Sequence, residues 1–198
     1  MLTSGVGAPK MEDSIDIAGL ALVTGNENKW REAARILGRP LERVALELPE
    51  VQAATSREVA LAKARAAFEE LRRPLVVEDA GLELAALGGF PGPFIKYWEA
   101  LGGLESICRA LDGLHERRAT AVCVLGVATA AGMETVEGRI DGTIAATPRG
   151  ESGFGWDAIF IPEGDARTFA EMSAAEKDAR SHRRRAWEAL ARCHAPPR

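Results

Sequence analysis

In the first half of the chain, short apolar runs ending in polar turns alternate with segments of helical spacing, and this alternation restricts the fold more than any other feature. Residues 20–24 (LALVT) read as a buried strand that runs into the Gly25-Asn26 turn. Residues 28–37 carry Trp30, Ala33, Ala34 and Leu37 at helical spacing, and Gly38 and Pro40 stop them. Residues 41–48 alternate like a strand, Thr55-Ser56 open an Ala-rich helix to Leu71, and residues 75–77 form a second buried strand ending at Glu78-Asp79. Residues 88–93 (GGFPGP) are the strongest loop signal, and helical spacing resumes over 94–111. Residues 120–129 and 134–146 are β-like on either side of an Ala131-Gly132 turn. A glycine-rich stretch at 150–155 leads into a short apolar run at 159–161. Ser173 and Glu176 form a capping box for one last helix reaching about Cys193. Strand–helix alternation followed by a hairpin predicts an α/β fold with a mixed sheet.

Composition excludes several function classes. The 198 residues are 46% hydrophobic and 27% charged, which suits one globular domain with a sizeable core. Residues 1–17 hold Gly, Pro and acids without apolar period and read as a loose leader; residues 18–198 read as the single domain. The net charge of −4 disfavours a general polynucleotide partner. The longest apolar run, residues 17–23, is far short of the roughly 18 residues of a membrane span. Glu12, Asp13 and Asp16 precede it where an export signal would be basic, so a cytoplasmic protein is expected. The three cysteines are widely spaced with no C-x-x-C, which points to inert thiols. Of the 25 basic residues only five are lysine, so Lys10, Lys29, Lys63, Lys96 and Lys177 stand out as possible point charges.

Four constellations could carry chemistry. Thr24, Gly25, Asn26, Glu27, Asn28 and Lys29 span a strand–turn–helix junction whose free N–H groups and dipole suit a phosphate, although it also reads as an ordinary capped helix. Glu78-Asp79 at a strand end, with Glu50 after another strand, offer hard oxygen ligands suited to Mg²⁺, or are solvated loop acids. Phe154, Gly155, Trp156 and Asp157 could form a flat slot for a base with an acceptor beside it, or a bulged strand with core aromatics. Lys177, Ser181, His182 and Arg183 lie in the last helix, with Lys177 and Ser181 four apart on one face; a solvated basic face is the alternative.

Together these segments resemble the inosine triphosphate pyrophosphatase family, enzymes that hydrolyse noncanonical purine nucleoside triphosphates. The matching stretches are TGNENKWREAARIL (24–37), LAKARAA (61–67), VVEDAGLELAALGGFPGPFIKYW (76–98), GFGWDAIFIPEG (153–164) and TFAEMSAAEKDARSHRRRA (168–186), in the family's order. The forms PGPFIKYW and FGWD look more like the eukaryotic type than the common bacterial one. The resemblance implies a long twisted mixed sheet flanked by helices, two lobes around an active-site cleft, a homodimer and Mg²⁺ dependence. It implies conversion of ITP, dITP or XTP to the monophosphate plus pyrophosphate. It also implies roles: residues 24 to 29 with Lys63 on the triphosphate, Lys96 on substrate, and Glu50, Glu78 and Asp79 at the metal. Asp79 would be the proton acceptor, and Phe154 to Asp157 with Lys177, Ser181, His182 and Arg183 the nucleoside pocket. Ala80 departs from the family pattern, which has a hydroxyl residue there, and the match is loose around residues 52–57. Two other readings are a Maf-like pyrophosphatase of different base preference and a non-enzymatic nucleotide- or RNA-binding module.

Overall fold

The computed structural model describes residues 17–194, so residues 1–16 of the expected leader lie outside the described residues. The chain runs β1 (Ala21–Val23), α1 (Glu27–Leu37), β2 (Arg43–Val44), α2 (Ser56–Leu71), β3 (Leu75–Leu84), β4 (Pro91–Gly92) and α3 (Ile95–Ala110). Then follow β5 (Arg118–Thr129), β6 (Gly132–Ile144), β7 (Phe160–Pro162), α4 (Ala174–Arg180) and α5 (His182–Cys193). The seven strands form one sheet in the order β2-β1-β3-β5-β6-β7, with β4 added to β3. β2, β1 and β3 are parallel, and every other pairing is antiparallel, which is the expected mixed α/β architecture. No helix among the described residues is long and apolar enough to cross a membrane.

Alternation along each strand assigns its side chains to the two faces of the sheet. Leu22 and Val76 face α1 and α5, in a cluster with Leu125, Val127 and Trp187. Val23 and Val77 face α2 and pack with Ala64 and Ala67. A third cluster, with Leu82, Leu84, Ile107, Leu111 and Phe160, gathers α3 around the far half of the sheet. α2 starts at Thr55-Ser56 as expected, through a capping box of Thr55 and Glu58, and the predicted capping box of Ser173 and Glu176 starts α4. Cys108 and Cys123 are buried, Cys193 is exposed, and all three are free thiols.

Four expectations need correction. β3 does not stop at Glu78-Asp79: β5 pairs with it from Leu75 to Leu84 and carries the strand through both acids. The alternation at 41–48 pairs only at Arg43 and Val44, because β1 offers just Leu22 and Val23 as partners. The helix over 94–111 is interrupted at Gly103, which adopts φ 72° and ψ 166°. The last helix is two helices, since Ser181 is extended (φ −74°, ψ 157°) and its Oγ accepts the backbone N–H of Arg184 to start α5. Lys177 and Ser181 therefore do not share a helical face.

Gly138 of β6 lets α5 press directly on the sheet. A Cβ there would lie 2.2 Å from the backbone N of Ala186 and 2.2 Å from the backbone O of His182. Gly138→Ala is expected to lower stability by about 1–3 kcal/mol, read as a lower urea midpoint. An unchanged midpoint would mean that α5 rides farther from the sheet than described.

Candidate active site

β3 is flanked by β5 along its whole length, but its other edge is shared. β1 pairs up to Val77, and β4 joins only at Leu82 and Glu83. Between them the edge at residues 78–80 opens on a cleft of about 580 Å³, beyond the carboxyl ends of the parallel strands where α/β sheets bind ligands. Continued alternation sends Glu78 to the face of Val76 and Asp79 to the face of Val77. Glu78 thus meets α1 and α5, Asp79 meets α2, and both line the cleft.

On the first face lies a buried ion network. The Arg183 fork donates from Nε and Nη2 to the two Glu78 oxygens, each at 2.8 Å, and from Nη1 to Glu32. Lys29 Nζ is 3.4 Å from Glu78. Lys177 Nζ lies 3.1 Å from Glu32 and 2.6 Å from Asp157. Burial opposes ionisation of Glu78, but Arg183 and Lys29 outweigh it and hold its carboxyl down at about 2. His182 is buried beside these cations, and burial followed by the charges of Arg183, Lys177 and Lys29 keeps its imidazole neutral. Its Nδ1 has no hydrogen-bond partner among the described residues.

On the second face Lys63 Nζ contacts Asp79 Oδ1 at 2.9 Å, while Asp79 Oδ2 is buried without a hydrogen-bond partner among the described residues. Glu50 sits at the rim, 2.6 Å from Lys96 Nζ and accepting from the Tyr97 hydroxyl at 3.0 Å. Its carboxyl is held below the usual range, chiefly by Lys96. Glu50, Glu78 and Asp79 line one cleft but form no tight cluster; no group of three or more His, Cys, Asp or Glu able to hold a metal occurs among the described residues.

At the α1 junction, Asn26 Oδ1 caps Lys29 N at 3.1 Å and Thr24 Oγ1 accepts Asn26 N at 3.0 Å. Thr24, Gly25, Asn26 and Lys29 line the cleft. A Cβ on Gly25 would meet no protein atom within 4 Å, so a ligand can approach the backbone there. Glu27 and Asn28 are exposed outside the cleft lining, and Glu27 pairs with Arg31. Phe154, Gly155, Trp156 and Asp157 form the opposite wall. The Phe154 ring lies 4.7 Å from Lys177 Nζ and 5.4 Å from the Arg183 guanidinium carbon. Trp156 is buried against His182 and Phe160. Asp157 is turned to Lys177 and to the Phe154 N–H rather than left open. Ser181 is fully buried and serves as the α5 cap outside the cleft lining.

Sequence reasoning missed Glu32 and Glu99. Glu32 was findable as an acid three residues after Lys29, next to buried Ala33. Glu99 had no signal beyond its place one turn after Lys96.

A mixed α/β sheet with lysines on both sides of a carboxylate-bearing edge and an aromatic wall opposite defines a protein built for a phosphorylated ligand. The chain belongs to the Ham1 family, whose sequence profile matches residues 20–193. A dITP/XTP pyrophosphatase of Methanopyrus kandleri is 45% identical to it over 172 residues, covering 85% of this chain and 92% of that one. Inosine triphosphate pyrophosphatase 2 of Trypanosoma cruzi is 42% identical over 175 residues, covering 86% and 89%. Among solved structures, a HAM1 protein from Coxiella burnetii matches with a TM-score of 0.75 at 30% identity, over 88% of this chain and 98% of that one.

Proposed function

We propose that this protein hydrolyses noncanonical purine nucleoside triphosphates (ITP, dITP, XTP) to the monophosphate and pyrophosphate, as a cytoplasmic homodimer using Mg²⁺. The observation that carries the reading is the set of groups that line one cleft. Lys29, Lys63 and Lys96 line it together with Phe154 and His182, and Asp79 brings a buried, unpartnered carboxylate oxygen. Lysines in that arrangement neutralise a triphosphate and the charge that grows on departing pyrophosphate. Asp79 would take the proton of water attacking the α-phosphorus. The neutral His182 offers a directed contact to the purine edge, and a 6-keto oxygen meets its donor where a 6-amino group would not. Three Arg183 N–H groups are committed to Glu78 and Glu32, so Arg183 is better placed as a wall of the pocket than as the chief reader of the 6-keto oxygen.

The unpartnered oxygen of Asp79 also suits a divalent ion. Mg²⁺ takes one or two carboxylates and fills its remaining positions with water and substrate phosphates. Asp79 would hold it, with Glu50 and Glu78 as the further acids of the cleft. Bound there, the ion supplies Lewis-acid polarisation of the phosphate oxygens.

The test is pyrophosphate release from ITP, dITP, XTP, ATP, GTP and a pyrimidine triphosphate, with Mg²⁺ and with chelator. Release from the first three, at least tenfold above ATP and lost with chelator, is expected. Preference for the pyrimidine would favour a Maf-like activity. Tight binding without turnover would favour a binding module.

A further inference from the structure

Each buried carboxylate of the cleft faces a cation: Glu78 meets Arg183 and Lys29, Asp79 meets Lys63, and Asp157 meets Lys177. The more exposed Glu50 meets Lys96. Glu99, on α3, lines the same cleft and is partly buried, yet it makes no hydrogen bond or ion pair among the described residues. Burial, with the Asp157 carboxylate adding to it, pushes its carboxyl above the usual range. Unlike Asp79 Oδ2, its oxygens are not fully buried, so they stand open to the cleft where a ligand donor can reach them.

Its place along the cleft says which donor. Glu99 lies one helical turn past Lys96, on the same side of α3. A Cβ on Gly155 would lie 3.6 Å from Glu99 Oε2, so the carboxylate also borders the Phe154–Trp156 wall. It therefore stands between Lys96 and the aromatics. A nucleotide laid with its phosphates on the lysines and its base on the aromatics has its sugar there. Sugar hydroxyls are neutral donors, and a carboxylate is the acceptor that nucleotide-binding folds use for them.

We propose that Glu99 accepts hydrogen bonds from the ribose hydroxyls of the substrate and sets a preference for ribose over hydroxyl-poor sugars. The proposal rests on reading the cleft as a nucleoside triphosphate site. It also adds a sugar-reading element to the base and phosphate contacts described above.

The experiment compares kcat/KM on ITP, dITP and 2′,3′-dideoxy-ITP for the wild type, Glu99→Gln and Glu99→Leu. Each variant is checked by circular dichroism. The wild type should favour ITP over the dideoxy form by on the order of tenfold or more, the scale of one charge-assisted hydrogen bond. Glu99→Leu should bring that ratio to within about twofold, and Glu99→Gln, which keeps one acceptor oxygen, should fall between. The dITP value tells whether the 2′- or the 3′-hydroxyl carries the effect. A wild type indifferent to the sugar would overturn the proposal. So would an equal loss on all three substrates in Glu99→Leu, which would place Glu99 on the base or in the scaffold. The same ratio is read as Kd for IMP and 2′,3′-dideoxy-IMP. A wild type silent on ITP would thus sink the pyrophosphatase reading alone, while the Kd ratio still decides on Glu99.

Discussion

Asp79→Asn should lower kcat for pyrophosphate release from ITP by on the order of 10²–10⁴, the range of a lost general base, and leave the fold standing. The amide keeps an oxygen in the place of Oδ1, which now faces Lys63 at 2.9 Å. It cannot take a proton from water, and the free position at Oδ2 becomes a neutral group. The exchange is close to isosteric at a strand interior paired with Val124, so the urea midpoint should move little. KM for ITP should change far less than kcat, because the phosphate-facing lysines remain in place. Near-normal turnover from well-folded Asp79→Asn would remove Asp79 from the chemistry and leave it as a partner that orients Lys63.

Much of what surrounds Asp79 was legible in the sequence because it is local. The β1 turn, the start of α2, the capping box of α4 and the β5–β6 hairpin all lie within a few residues of their signals. Four of the five lysines set apart by an arginine-rich composition, Lys29, Lys63, Lys96 and Lys177, line the cleft. What stayed hidden depends on partners far along the chain. Glu78-Asp79 looked like a strand end because two adjacent acids seldom lie inside a sheet. Here β5 holds the strand on, and cations from α1, α2 and α5 compensate the acids. The break at Ser181 was masked because helical spacing continues on both sides, while the cap that causes it is a single side-chain oxygen. By spacing alone Arg183 read like Arg184 and Arg185, and the family resemblance set it apart as a pocket residue. Neither showed the buried ion network that Arg183 forms with Glu78 and Glu32 where α5 packs against α1 and β3.

Arg183→Met is expected to be the most destabilising change at the site, with a loss of about 3–5 kcal/mol at pH 7. Methionine fills much of the volume, so the loss is mainly electrostatic: two buried acids are left with weaker compensation. Glu32 would keep Lys177, and Glu78 would keep only Lys29 at 3.4 Å. The pH dependence identifies the cause. Glu78 is lowered from 4.5 to about 2 in the folded protein, and its side chain is buried. Its ionised form therefore contributes on the order of 3 kcal/mol above the unfolded value, and that contribution fades as pH falls from about 4.5 towards 2. Without Arg183, burial is opposed by less charge, so the carboxyl of Glu78 rises and takes up its proton at higher pH. A protonated Glu78 no longer needs the guanidinium. The unfolded states titrate alike, so the stability gap between wild type and Arg183→Met should be widest near pH 7 and narrow as pH falls from the raised Glu78 value of the variant towards about 2, as read by urea denaturation at each pH. A gap that stays constant across that window would assign Arg183 to packing alone and would dissolve the charge coupling between α5 and the catalytic strand.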